Sequence, residues 1–169
     1  MATNLQFIKS ASGTSVTSLS VTDCFSANYD VYYVSMTKLD KSTEEWTNIR
    51  VVNASGVASG SNYDNARLQL SSYTTFGEHR VTGQTSWTNI AFQSTGTADG
   101  VGFGMYIFNP SDSSSYTFMT HQASSFYSSQ GMVGTKGIGV HKVAEAITGV
   151  NILSSNNFDN ITINVFGVK

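Results

Sequence analysis

Short runs in which apolar and polar residues alternate every second position constrain this chain more than any other feature. The clearest closes the sequence: Ile161, Ile163 and Val165 alternate with Thr162, Asn164 and Phe166, after the polar cluster Ser154-Ser-Asn-Asn157. A second runs from Tyr29 to Leu39, with Tyr32, Val34 and Met36 on one face and Val31, Tyr33 and Ser35 on the other. A period of two bounded by turn residues specifies a half-buried strand, because successive side chains leave a strand on opposite faces. The aromatic and β-branched residues that fill these runs suit a pleated surface.

Weaker runs of the same kind cover most of the chain. Leu5–Lys9 and Ser15–Val21 are read as strands, the second with a bulge near Ser18. Trp46–Val52, Ala66–Tyr73, Trp87–Phe92, Val101–Phe108, Tyr116–His121, Val140–Ala144 and Ile147–Leu153 follow. Roughly ten short strands spaced about 10–15 residues apart predict a sandwich or barrel. The segment Lys142–Thr148 is rich in helix formers, but seven residues between glycines make a marginal helix. It is read as strand, with a turn as the alternative. Polar clusters at Ala58–Tyr63, Gly96–Gly100 and Pro110–Ser115 supply the loops, and Ser154–Asn157 is read as a further turn.

No linker or internal repeat divides the 169 residues, so a single domain over 1–169 is expected. A chain of this length buries enough surface to fold without disulfide or metal. The predicted core comprises Val31, Tyr33, Ile49, Val51, Leu68, Leu70, Phe103, Ile107, Ile161, Ile163 and Val165. Only 12% of residues are charged, about half the usual share. Ser, Thr, Asn and Gly take their place, which gives an uncharged polar surface. The net charge of −2 and the lack of any Lys/Arg cluster argue against a nucleic-acid partner. No apolar run approaches the roughly 20 residues of a membrane span, so no membrane insertion is expected. The first residues lack a signal-peptide pattern, and a lone cysteine, Cys24, fits synthesis in a cytoplasm.

No catalytic, cofactor-binding or metal-binding set emerges. His79, His121 and His141 are widely spaced and match no paired-ligand motif. Cys24 reads as a small buried residue, with nothing beside it in sequence to activate a thiolate. Asp40, Glu44 and Glu45 form the one acidic cluster and read as a solvated loop. Gly100-Val-Gly-Phe-Gly104 and Gly134-Thr-Lys-Gly-Ile-Gly139 lack the Gly-Lys-Ser/Thr ending and the strand-to-helix setting of a phosphate cradle, and read as structural glycines. Tyr63, Tyr73, Tyr116, Phe126 and Tyr127 adjoin polar loops and are candidates for sugar stacking or subunit contacts.

Several stretches resemble a known group. Phe25-Ser-Ala-Asn-Tyr-Asp-Val-Tyr32, Ile49-Arg50, Tyr63 after Gly60-Ser-Asn, Ile107-Phe-Asn-Pro110 and Ala146-Ile-Thr-Gly-Val-Asn-Ile-Leu153 precede the closing Ser154–Lys169. In their order and spacing they resemble the small jelly-roll β-sandwich structural proteins of tailed bacteriophages, especially cyanobacterial and marine phages. The resemblance implies an all-β, antiparallel sandwich of jelly-roll type and a non-catalytic virion component: a tail fibre, a tail appendage or a capsid decoration. It implies partnership with other virion proteins, a homo-oligomer with a trimer as first guess, and, as another reading, recognition of host surface glycans. No cofactor is implied.

Overall fold

The computed structural model describes residues 4–41, 43–93, 95, 101–127 and 131–169. The predicted Gly96–Gly100 loop lies outside these, as does the side chain of Tyr127. Eleven strands run in chain order: β1 (Leu5–Val21), β2 (Val31–Asp40), β3 (Glu45–Asn53), β4 (Gly56–Val57), β5 (Tyr63–Ser71), β6 (Gly77–Gln84), β7 (Trp87–Gln93), β8 (Gly102–Phe108), β9 (Thr117–Tyr127), β10 (Gly131–His141) and β11 (Ile147–Val168). Every pairing among them is antiparallel. The protein is an all-β antiparallel sandwich of jelly-roll type.

The 22-residue β11 organises both layers. Its first half pairs with β3, its second half with β2, and β1 runs along its other side throughout. Beyond β2 the large layer continues through β8, β9, β10 and β5 to β6. Beyond β3 lie β4 and β7, and β7 packs over β9 and β10. The β1/β11 ribbon therefore bends to serve two layers. Lys9 Nζ donates to the Thr22 carbonyl at 2.8 Å across 13 residues, whereas a straight strand would separate them by about 43 Å.

The corner lies where the sequence predicts a turn. Val16 is paired with Phe158, but Ser18 is paired with Leu153, so residues 154–157 stand opposite Thr17 alone. Ser154–Asn157 is thus a bulge inside one strand, not a connection between two. A bulge bends its strand and tightens the twist, which is what a sheet needs to change layers. Phe158 and Ser154 turn inward beside it, and buried Lys41 donates to Ser154 Oγ and sits 4.9 Å from the Phe158 ring centroid. Burial lowers the Lys41 pKa to about 8, against the opposing pull of Glu45 and Asp159. The predicted irregularity near Ser18 is this same corner, seen from β1.

Alternation places the core as period two demands. Tyr32, Val34 and Met36 face Ile161, Ile163 and Val165, and the opposite wall carries Ile49, Val51, Trp87 and Ile90. Each such side chain, fully buried, contributes roughly 1.5–3 kcal/mol. Four predicted core residues require correction. Val31 and Tyr33 are half-buried on the outer face of β2, and Leu68 and Leu70 are exposed on β5. On β5 the inward positions belong to Tyr63, Asn65 and Arg67, so its two leucines, one residue out of phase, must point away.

Two other expectations change. Residues 142–146 connect β10 to β11, so the strand reading of Lys142–Thr148 gives way to the turn alternative over 142–146 and holds at Ile147 and Thr148, which open β11. The strand over Val140–Ala144 ends at His141. β4, β6 and most of β10 carry no clear alternating signal and are additions. β10 is the glycine-rich strand: a Cβ on Gly137 would lie 2.5 Å from the Ala66 carbonyl oxygen and 2.6 Å from His121 Cε1. Its glycines admit neighbouring side chains, in keeping with a structural role.

Candidate functional site

The histidines do not gather. His141 is buried against Tyr63, ring centroids 4.6 Å apart, with Nδ1 3.9 Å from Glu145. His121 is buried on the inner face of β9, and His79 lies exposed on β6. Among the described residues no group of three His, Cys, Asp or Glu side chains could hold a metal. Cys24 is buried, its Sγ 3.4 Å from the Val21 carbonyl, and burial raises its pKa to about 12. That thiol is not poised as a nucleophile at neutral pH. Of the acidic cluster, Glu44 is exposed, Asp40 accepts from Asn160 Nδ2 at 3.4 Å, and Glu45 accepts from the Trp46 N–H at 2.9 Å. No helix among the described residues is long and apolar enough to cross a membrane.

Of the aromatic candidates, Tyr63 is wholly interior. Its hydroxyl donates to the Ala58 carbonyl at 2.7 Å and accepts from the Val51 N–H at 3.1 Å. A polar loop before it misleads, because the strand begins at Tyr63 itself and directs the ring inward. Tyr73, Tyr116 and Phe126 are exposed, but they do not form the main surface feature.

That feature is the outer face of the large layer. Register aligns one residue from each of eight strands: Phe7, Phe166, Tyr33, Tyr106, Thr120, Ile138, Ala66 and Arg80. At about 4.8 Å per strand this row extends about 34 Å. Its aromatic end is continuous, with ring centroids 5.7 Å apart for Phe7–Phe166, 6.3 Å for Phe166–Tyr33 and 5.1 Å for Tyr33–Tyr106. Cross-strand pairs of this type contribute roughly 0.2–1 kcal/mol each. Tyr33 lies across Gly104, where a Cβ would fall 2.4 Å from its hydroxyl oxygen. Glycine there allows the ring to lie flat.

The adjoining rows carry Gln122, Lys136, Leu68 and Glu78, then Ser124 and Leu70. With Tyr33, Tyr106, Thr120, Ile138, Ala66 and Arg80 they line an open trough of about 1400 Å³. Ile138 at 61%, Phe7 at 53% and Leu68 at 44% exposure show how much apolar surface faces solvent. Single exposed apolar residues are ordinary, but a contiguous patch marks a contact or ligand surface. The polar residues around it are uncharged on β9, namely Thr120, Gln122 and Ser124, and charged at the β10–β6 side, namely Lys136, Glu78 and Arg80. Sequence reading passes over this face because its members look like core residues taken strand by strand. The signal lies in their register: Leu68 and Ile138 stand one row apart on adjacent strands, and both face outward.

No protein-family model and no curated protein matches this sequence. Among solved structures the chain is similar to the CBM2 module of the evolved Dit of Lactobacillus casei BL23 phage J-1, at 9% identity over 90% of this chain and 69% of that one, with a TM-score of 0.27. It is also similar to infectious bursal disease virus, Gx strain, at 11% identity over 94% of this chain and 37% of that one, with a TM-score of 0.18. At these scores neither likeness extends to function.

Proposed function

We propose that this protein is a non-catalytic structural component of a tailed-phage virion, a tail fibre or tail-associated appendage that works through protein–protein contacts on the outer face of its large layer. The observation that carries this reading is the largely apolar row from Phe7 to Ile138, half-buried to exposed across six strands. Such a face gains by burial at roughly 25 cal/mol per Å² of apolar surface. At its β1–β9 end the polar neighbours are uncharged and would be desolvated without stranding ionic groups. The sequence resemblance to small jelly-roll phage proteins supplies the particle and the homotrimer as the proposed assembly. Capsid decoration is the alternative position.

Mass spectrometry of purified virions tests the reading: the protein is expected in stoichiometric amounts, and its absence refutes a virion role. A glycan-recognition module is favoured by one observation, the exposed Tyr106 ring opposite Thr120 with Gln122 in the next row. An aromatic ring beside hydrogen-bonding side chains suits a sugar, and a glycan array without binding excludes that role.

A further inference from the structure

On the inner face of the large layer a second row carries charge into the interior. Register aligns His121 of β9, Gly137 of β10, Arg67 of β5 and His79 of β6. His121 is 3% exposed and Arg67 6%, whereas His79 is open to solvent. The gradient follows the packing: β7 covers β9 and β10 and only grazes β5 and β6, so this face opens at the sheet edge. Gly137 makes the row continuous, since its missing side chain leaves space that His121 Cε1 and Arg67 Cβ approach to 2.6 and 2.9 Å of a notional Cβ.

The charge is poorly compensated. A guanidinium stays protonated when buried and offers five N–H donors. Among the described residues Arg67 forms no ion pair; Nη1 donates to Gln69 Oε1 at 3.2 Å, and the guanidinium carbon sits 4.2 Å from the Trp46 ring centroid. Neither ring nitrogen of His121 has a hydrogen-bond partner among the described residues. The ring lies nearly parallel to Phe103, centroids 6.4 Å apart and planes 17° from parallel, which leaves its nitrogens at the ring edge. Buried polar groups in folded proteins are partnered with few exceptions, and a buried unpaired charge is costly. Here an arginine with no ion pair, held by Gln69 and the Trp46 ring, and an unpartnered histidine flank Gly137, with a third basic side chain at the sheet edge.

We infer that His79, Arg67 and His121 form a binding site for a small oxyanion, a carboxylate above all. A planar carboxylate accepts two parallel N–H bonds from a guanidinium, and a further N–H from the neighbouring imidazole would partner one of the two unpartnered nitrogens. Once protonated, at a pH below its lowered pKa, His79 would draw the anion to the sheet edge. Arg67 depresses the pKa of both histidines, with burial as the larger cause in each. Two imidazoles repelled by one arginine form a site of the sign an anion relieves.

The test is a titration of the whole protein with sodium acetate, sulfate or phosphate at constant ionic strength. The readouts are the Arg67 Nε–H resonance and the thermal midpoint. A saturable shift of that resonance with at least one anion, and a midpoint that rises with the same concentration dependence, is expected. R67M, which lacks that resonance, loses the rise in midpoint, and R80Q on the outer face leaves both effects intact. Because R67M alters a buried position, H79Q supplies a second arm: it should fold normally and, below the His79 pKa where the ring is charged, weaken binding roughly two- to fivefold, as loss of an exposed charge does. An unmoved Arg67 signal with all three anions overturns the inference. So does a midpoint rise that is linear in salt and equal in wild type and H79Q, which denotes an adventitious ion only.

Discussion

Replacing His121 by leucine should both stabilise the protein and remove part of its acid sensitivity. Burial first, and Arg67 second, lower the folded-state pKa of His121 from 6.5 to about 4. The unfolded chain therefore takes up this proton more readily than the folded one. The contribution of neutral His121 is intact above the unfolded value and is lost as the pH falls from 6.5 towards 4. Between pH 7 and pH 5 that loss is about 2 kcal/mol from this residue. The other histidines with lowered pKa values, His79 and His141, act in the same direction, but they are present in both proteins and cancel in the comparison. At pH 7, removing a buried imidazole with two unpartnered nitrogens makes H121L equal to wild type or more stable by about 1 kcal/mol. Urea denaturation of both proteins at pH 7 and pH 5, followed by tryptophan fluorescence, yields the difference directly. Equal losses for wild type and H121L over that interval would refute the reasoning, because His121 would then titrate alike folded and unfolded.

Gly137→Ala should destabilise the protein by about 3 kcal/mol, since the added carbon meets the Ala66 backbone oxygen at 2.5 Å and β5 must shift; a thermal midpoint within a degree of wild type would contradict this. Ile138→Asp on the outer face should change stability by no more than about 0.5 kcal/mol yet abolish self-association or incorporation into particles, as measured by sedimentation and virion composition. Cys24, buried with its pKa raised to about 12, should resist thiol reagents at pH 8 in the native protein and react promptly once urea unfolds it.

How far the fold was legible depended on whether a strand's apolar residues all fall on one face. The second half of β11 satisfies this, so Ile161, Ile163 and Val165 could be placed from sequence. β2 carries apolar residues on both faces, and alternation alone does not tell the inward Tyr32, Val34 and Met36 from the outward Val31 and Tyr33 that the sequence reading assigns to the core. On β5 the inward row is Tyr63, Asn65 and Arg67 and the outward row holds Leu68 and Leu70, so hydrophobicity indicated the wrong side. β6 and β10 are written in charge and glycine, and their pairing depends on what lies opposite. Ser154–Asn157 signalled a change of direction correctly, but local sequence does not distinguish a reversal from a corner that keeps its partner strand. Neither the outer apolar face nor the Arg67–His121 row was visible, because each arises from register between strands distant in sequence. The structural role of the glycines and the burial of Cys24 were readable from their neighbours alone.

The bent ribbon of β1 and β11 has a kinetic consequence. It joins Leu5 to Val168 and Val21 to Val150, so its contacts span most of the chain, and both layers lean on it. Pairings so distant in sequence fold slowly, because the loop entropy is lost before the contacts form. Until β11 has left the ribosome, β1 has no partner, and β2 and β3 each present an edge that β11 will later fill. A nascent chain halted before Ile147 would hold two incomplete sheets with open apolar edges, a state prone to aggregation. Native structure should therefore arise late and all at once, and a chaperone that shields β2 and β3 during synthesis should raise the yield of folded protein more than one acting on the finished chain.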